Sequence, residues 1–248
     1  MVNRVGGFWT ALAFLTRLPV PGGGKRLTPT ATAFFPLVGA LLGVFYAVAG
    51  RGVDRWAGSG PAAAVVLLLS FWLTGGLHLD GFADTVDGLH APPHRSLEVM
   101  RDSRMGALGG AGLVLLLLLQ YSLLARLLGR GEWEAIFLAP VVARLAMAQG
   151  AFLGSEARRD GLGRLLLAKV GGGSIVTAAV FGVLAAATAA YTGLVALVVG
   201  AVSTYLWGRS LQRRFGGLTG DNLGFLGETA GTLVLAVFAV LPGGWGRW

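Results

Sequence analysis

The sequence predicts an all-α polytopic membrane bundle of about seven spans plus an N-terminal interfacial helix, with active-site loops on the cytoplasmic side. Three observations carry this. Of the 248 residues, 54% are apolar and 13% charged, against roughly 25% charged in an ordinary soluble domain. The apolar residues fall in runs near the roughly 20 residues needed to cross a bilayer. The few charges gather between the runs. Leu, Val, Ala and Gly supply nearly all of the apolar excess, and the 41 glycines suit close helix packing in lipid, with Gly39 and Gly43 as one small-residue pair.

Taken in order, residues 1–22 hold Arg4, the apolar run from Phe8 to Leu15, and Thr16-Arg17-Leu18-Pro19. That run is too short to span, and no small-residue cleavage site follows it. It reads as an interfacial helix stopped by Pro19. Residues 22–30, with Lys25 and Arg26, form a loop. Spans are expected at 31–50 and 61–79, separated by a polar turn with Arg51, Asp54 and Arg55. An acid-rich loop, 80–105, follows. Spans at 106–128 and 132–153 lead to a polar loop, 154–173, with Glu156, Arg158, Arg159, Asp160, Arg164 and Lys169. Spans at 174–190 and 192–208 are joined by almost nothing. The last loop, 209–222, precedes a span at 223–241. No internal repeat or low-complexity linker interrupts the chain, so residues 1–248 read as a single membrane catalytic domain.

The basic residues set the orientation. With the N-terminus inside, 14 of the 20 Lys and Arg fall on the cytoplasmic side and 5 on the other (Arg51, Arg55, Arg126, Arg130, Arg247), with Arg144 inside a span. This bias favours a cytoplasmic N-terminus and places every acid-rich loop on one face. The net charge of +8 then reports cytoplasmic loops and anionic headgroups. No basic patch interleaved with aromatics argues for nucleic acid. The absence of cysteine excludes disulfides, thiolate metal sites and a Cys nucleophile.

Chemistry concentrates between Thr74 and Gly106. A helix over 78–88 would put Asp80, Asp84 and Asp87 at i, i+4 and i+7, on one face. Three anions on one face repel unless cations are bound, and carboxylate oxygens with substrate phosphates suit Mg2+. The plainer reading is a solvated helix face or a set of N-caps. Asp102 lies between Arg101 and Arg104, and His78 stands where it would orient a ligand. His90 and His94, beside Pro92-Pro93, read as loop residues. A second segment, Gly-Gly-Leu-Thr-Gly-Asp-Asn-Leu-Gly at 216–224, offers Asp221 either as an N-cap for the last helix or as a metal or phosphate contact. Arg144, expensive in lipid, calls for a carboxylate, a phosphate or a structural partner such as Glu228.

Together, Ala13 to Pro21, Thr74 to Gly88, Met100-Arg101-Asp102-Ser103-Arg104 with Gly106, Gly161-Leu162-Gly163, and Gly217 with Thr219-Gly220-Asp221 and Gly224 resemble the cobalamin synthase family. These are the adenosylcobinamide-GDP ribazoletransferases of prokaryotic vitamin B12 assembly. The matches run from residue 13 to 231 in the family's order. The resemblance implies a Mg2+-dependent integral enzyme of the inner membrane. It would join adenosylcobinamide-GDP to α-ribazole or its 5′-phosphate and release GMP. The carboxylates carried onto the family's motifs are Asp80, Asp84, Asp87, Asp102 and Asp221, with metal binding assigned to Asp80, Asp84 and Asp87. Arg17, His78, Arg101, Arg104, Lys169, Thr219 and Gly220 form the expected substrate-binding set. A homo-oligomer is compatible with the sequence.

Two other readings compete. Asp84-Thr85-Val86-Asp87-Gly88 resembles the start of the CDP-alcohol phosphotransferase signature, but Leu89-His90 stands where Ala-Arg should follow. A cation transporter would carry its carboxylates at mid-span rather than at span ends.

Overall fold

In the computed structural model, residues 4–20, 28–157, 167 and 170–241 are described. The described helices are α1 (Arg4–Leu15), α2 (Phe35–Ala57), α3 (Ser59–Thr74), α4 (Leu77–His90), the short α5 (Ser96–Val99), α6 (Ala107–Gly129), α7 (Trp133–Leu153), α8 (Gly172–Ala187), α9 (Ala190–Phe215) and α10 (Gly220–Val240). Short 3-10 turns, Pro29–Phe34 and Pro93–Arg95, lead into α2 and α5. Five helices are long and apolar enough to cross a membrane: α2 with its preceding turn, α6, α7, α9 and α10; the bent pair α3–α4 would make a sixth. α8, expected as a full span, has 16 residues. At about 1.5 Å per residue it is shorter than a hydrocarbon core of roughly 30 Å.

α7 is the hub, buried on nearly every side against α2 and α10. The expected Gly39/Gly43 pair explains how α2 comes so close. A Cβ on Gly39 would sit 2.7 Å from Val141 Cα, and one on Gly43 would sit 3.0 Å from Phe137 C. Backbone therefore packs on backbone beside Pro140, the proline inside α7. Larger residues would push the helices apart and forfeit dispersion contacts over their whole length.

The sequence boundaries need two corrections. The span expected at 61–79 ends at Thr74, because Gly75 and Gly76 both adopt left-handed backbone, with φ of 69° and 72°. Such consecutive conformations terminate a helix and suit glycine. The chain restarts as α4 after a bend of 91°, so residues 80–90, expected as the start of a loop, are helical. α9 also continues past 208 to Phe215, taking Arg209, Arg213 and Arg214 into its last turns. Long cationic side chains can leave an apolar helix end for the interface, so charge does not stop the helix there.

Several of the described polar segments meet at one end of the bundle. Arg17 N–H donates to Leu73 O at 2.7 Å, and Leu218 N–H donates to Ser155 O at 2.7 Å while Ala157 N–H returns a bond to Leu218 O at 3.0 Å. The far end holds Arg130, which donates to Ala239 O at 3.2 Å, and Arg51, stacked 5.6 Å from the Trp133 ring. Among the described residues, the first turn of α10 with Asp221 thus lies at the opposite end of that helix from Arg130.

Candidate active site

The centre of the polar end is the crossing of α4 and α10. A Cβ on Gly81 would lie 2.8 Å from Asp221 O and 2.9 Å from Asp221 Cα, and one on Gly224 would lie 3.2 Å from His78 Cα. Glycine at both positions lets two backbones touch, which brings Asp221 against Gly81, three residues before Asp84 in α4. Three contacts fix the crossing. Asn222, fully buried, donates from Nδ2 to Thr85 Oγ1 at 3.0 Å. The Phe82 and Phe225 rings stack 5.1 Å apart. Thr219 caps α10: its hydroxyl accepts from Asn222 N–H at 3.2 Å, and its own N–H donates to Asn222 Oδ1 at 3.0 Å. The cap is thus Thr219, and Asp221 stands in the first turn, where the positive end of the helix favours an anion.

The three aspartates of α4 do follow one stripe, but they face different surroundings. Asp80 is exposed and borders an open groove of about 570 Å³. Asp84 is half-buried beside the crossing. Asp87 instead caps α6, accepting from Gly106 N–H at 2.9 Å and Gly109 N–H at 2.7 Å. Asp102 is gripped by Arg104, whose Nη2 lies 2.6 Å from its carboxylate, with the Arg104 backbone N–H adding a bond at 3.0 Å. These bonds from Arg104 hold the Asp102 carboxyl down at about 2.

A sequence model of the cobalamin-5-phosphate synthase family matches residues 7–239. An adenosylcobinamide-GDP ribazoletransferase of Escherichia coli is 36% identical over 245 residues, covering 92% of this chain and 98% of the relative. One from Citrobacter koseri is 38% identical over 235 residues, covering 88% and 92%. The chain belongs to the cobalamin-5-phosphate synthase family. No solved structure matches it.

The expected substrate-binding residues of this family member are distributed unevenly. Arg17 is exposed and lies across Gly75, on the wall of the same groove as Asp80. Arg101 and Arg104 are exposed on the turn before α6. Gly220 is exposed, whereas Thr219 is buried and engaged in capping. His78 turns inward: it is 3% exposed, with Nδ1 3.5 Å from Arg144 Nη2. Arg144 and Glu228 line a small, partly open cavity of about 70 Å³, where Gln120 donates to Glu228 Oε2 and to Thr232 Oγ1, each at 3.0 Å. His78 is therefore placed to brace α4 against α7. Lys169 and the run Gly161-Leu162-Gly163 lie outside the described residues.

One residue escaped the sequence reading. Arg214, in the last turn of α9, donates to the carbonyls of Leu89, at 3.1 Å, and Ala91. It caps the C-terminal end of α4, where a cation is favoured. A pair of arginines at a helix end was the available signal, but nothing in sequence names the helix they serve.

Among the described residues, no group of three His, Asp or Glu side chains is arranged to hold a metal ion. Asp87, one of the three expected ligands, spends both oxygens on α6 amides. Mg2+ needs fewer protein ligands, since one or two carboxylates suffice when substrate phosphates and water complete its shell. Asp84 and Asp221 carry hard oxygen donors on the two helices that cross here.

Proposed function

We propose that the protein transfers the adenosylcobinamide-phosphate moiety of adenosylcobinamide-GDP to α-ribazole or its 5′-phosphate, yielding adenosylcobalamin or its 5′-phosphate and GMP. The reaction takes place on the cytoplasmic face of a prokaryotic inner membrane, with the N-terminus inside. The observation that carries this reading is the backbone contact of Gly81 with Asp221, which gathers carboxylates from two distant segments of a chain of this family.

In the transfer, a ribose hydroxyl oxygen of ribazole bonds to the phosphorus on the cobinamide side of the diphosphate. The bond from that phosphorus to the bridging oxygen breaks, and GMP leaves with the electron pair. Asp80, exposed at the groove, receives the hydroxyl proton. Asp84 and Asp221 would hold Mg2+. When bound, the ion offsets charge growing on the bridging oxygen. Arg101 and Lys169 contact the phosphates as cations, and Asp87 keeps α4 in register with α6.

The test is GMP release by detergent-purified protein. We expect release to need both substrates, to stop on chelation with EDTA and to return with added Mg2+. Release without ribazole would make the protein a hydrolase and overturn the reading.

Asp102 gives a pH prediction. Its folded pKa of about 2 lies below the ordinary 3.8, so its stabilising effect is present above about pH 4 and is lost as pH falls through about 2. It is ionised at any pH near neutrality. Asp102→Asn should therefore leave the acid limb of the pH–rate profile in place. A shift of that limb in the variant would make Asp102 the base.

A further inference from the structure

The open groove beside α4 runs between the end of α1, the α3–α4 bend and the start of α6. Its volume, about 570 Å³, falls within the roughly 300–1,000 Å³ of small-molecule sites. Its wall is two-sided. Phe14, Phe71 and Leu117 make one part apolar, while Arg17 and Asp80 put opposite charges on the other. The bend is built to hold this wall. A Cβ on Gly76 would sit 2.8 Å from the Phe71 ring, and one on Gly75 would strike the Arg17 guanidinium. The two left-handed glycines thus let the ring and the guanidinium lie close against the turn.

We propose that this groove is the acceptor subsite, taking the flat apolar bicyclic base of the α-ribazole nucleoside against Phe14, Phe71 and Leu117. The inference rests on the transfer reaction proposed above and assigns its smaller substrate a place. The ribose then points to Asp80, which receives its proton, and Arg17 meets the phosphate when the nucleotide form is used. Adenosylcobinamide-GDP, large and polar, approaches from the Asp84–Asp221 side. A lipid chain would fill the apolar part, but it has no use for a carboxylate and a guanidinium on the same wall, so charge favours the nucleoside.

Steady-state kinetics on Leu117→Trp and Met105→Trp test this. Leu117 lines the groove from α6, and Met105 lines it from an exposed position that a larger side chain can occupy without disturbing the core. Each should raise KM for α-ribazole at least tenfold while leaving KM for adenosylcobinamide-GDP within twofold. Leu118→Trp, on the neighbouring exposed face of α6, should change neither. Equilibrium dialysis of α-ribazole with the wild-type protein, without the GDP substrate, should show saturable binding that both groove variants lose. Equal effects on both KM values, or none, would overturn the proposal, as would phospholipid retained by the wild type in native mass spectrometry and lost in the variants with ribazole binding unchanged. Wild-type protein that binds ribazole yet releases no GMP would instead overturn the transfer reading and leave the subsite standing.

Discussion

Asparagine in place of Asp84 is expected to lower GMP release by roughly 10²–10⁴-fold, which corresponds to about 3–5 kcal/mol of transition-state stabilisation. The substitution keeps size and removes charge at a half-buried site. The loss should therefore appear in kcat, with insertion and detergent behaviour unchanged. Asp221→Asn should act similarly, and the double variant should be little worse than either single one, because groups that hold one ion work as a unit. Near-normal turnover by Asp84→Asn would remove this carboxylate from the chemistry.

Gly81→Val should be almost as damaging although every aspartate remains. Its Cβ would sit 2.8 Å from Asp221 O, and that backbone cannot rotate away. The crossing must open, at a cost of about 1–3 kcal/mol in stability. Displacement of reacting groups by about 1 Å costs on the order of 10²-fold in rate. Thermal unfolding and GMP release measured together test this. Gly52→Ala is the control: a Cβ there meets nothing within 4 Å, so activity should hold and helix α2 should gain slightly. If Gly81→Val kept wild-type activity, contact between the backbones of α4 and α10 would not be needed to assemble the site.

Much of the architecture was legible in one dimension because lipid imposes a severe rule. Backbone groups in hydrocarbon must be satisfied within the segment, so long apolar runs have to be helices. The pairing of Gly39 with Gly43 was readable for a related reason, since small residues four apart make a flat stripe. The placing of Asp80, Asp84 and Asp87 along one stripe of α4 followed from helical periodicity. Periodicity says which residues share a face but not what stands opposite. Asp87 meets the amides of Gly106 and Gly109, His78 meets Arg144, and Arg214 reaches carbonyls more than 120 positions away in sequence.

The sequence by itself determined a helical membrane chain with Asp80, Asp84, Asp87, Asp102 and Asp221 outside its long apolar runs, because hydropathy and charge segregation act locally and leave their marks residue by residue. Only the tertiary structure decided what each of those carboxylates meets. Those surroundings depend on a chain reversal at two left-handed glycines and on a glycine crossing between α4 and α10, where steric fit across distant segments brings Asp221 against Gly81 and leaves Asp87 to hold a helix end.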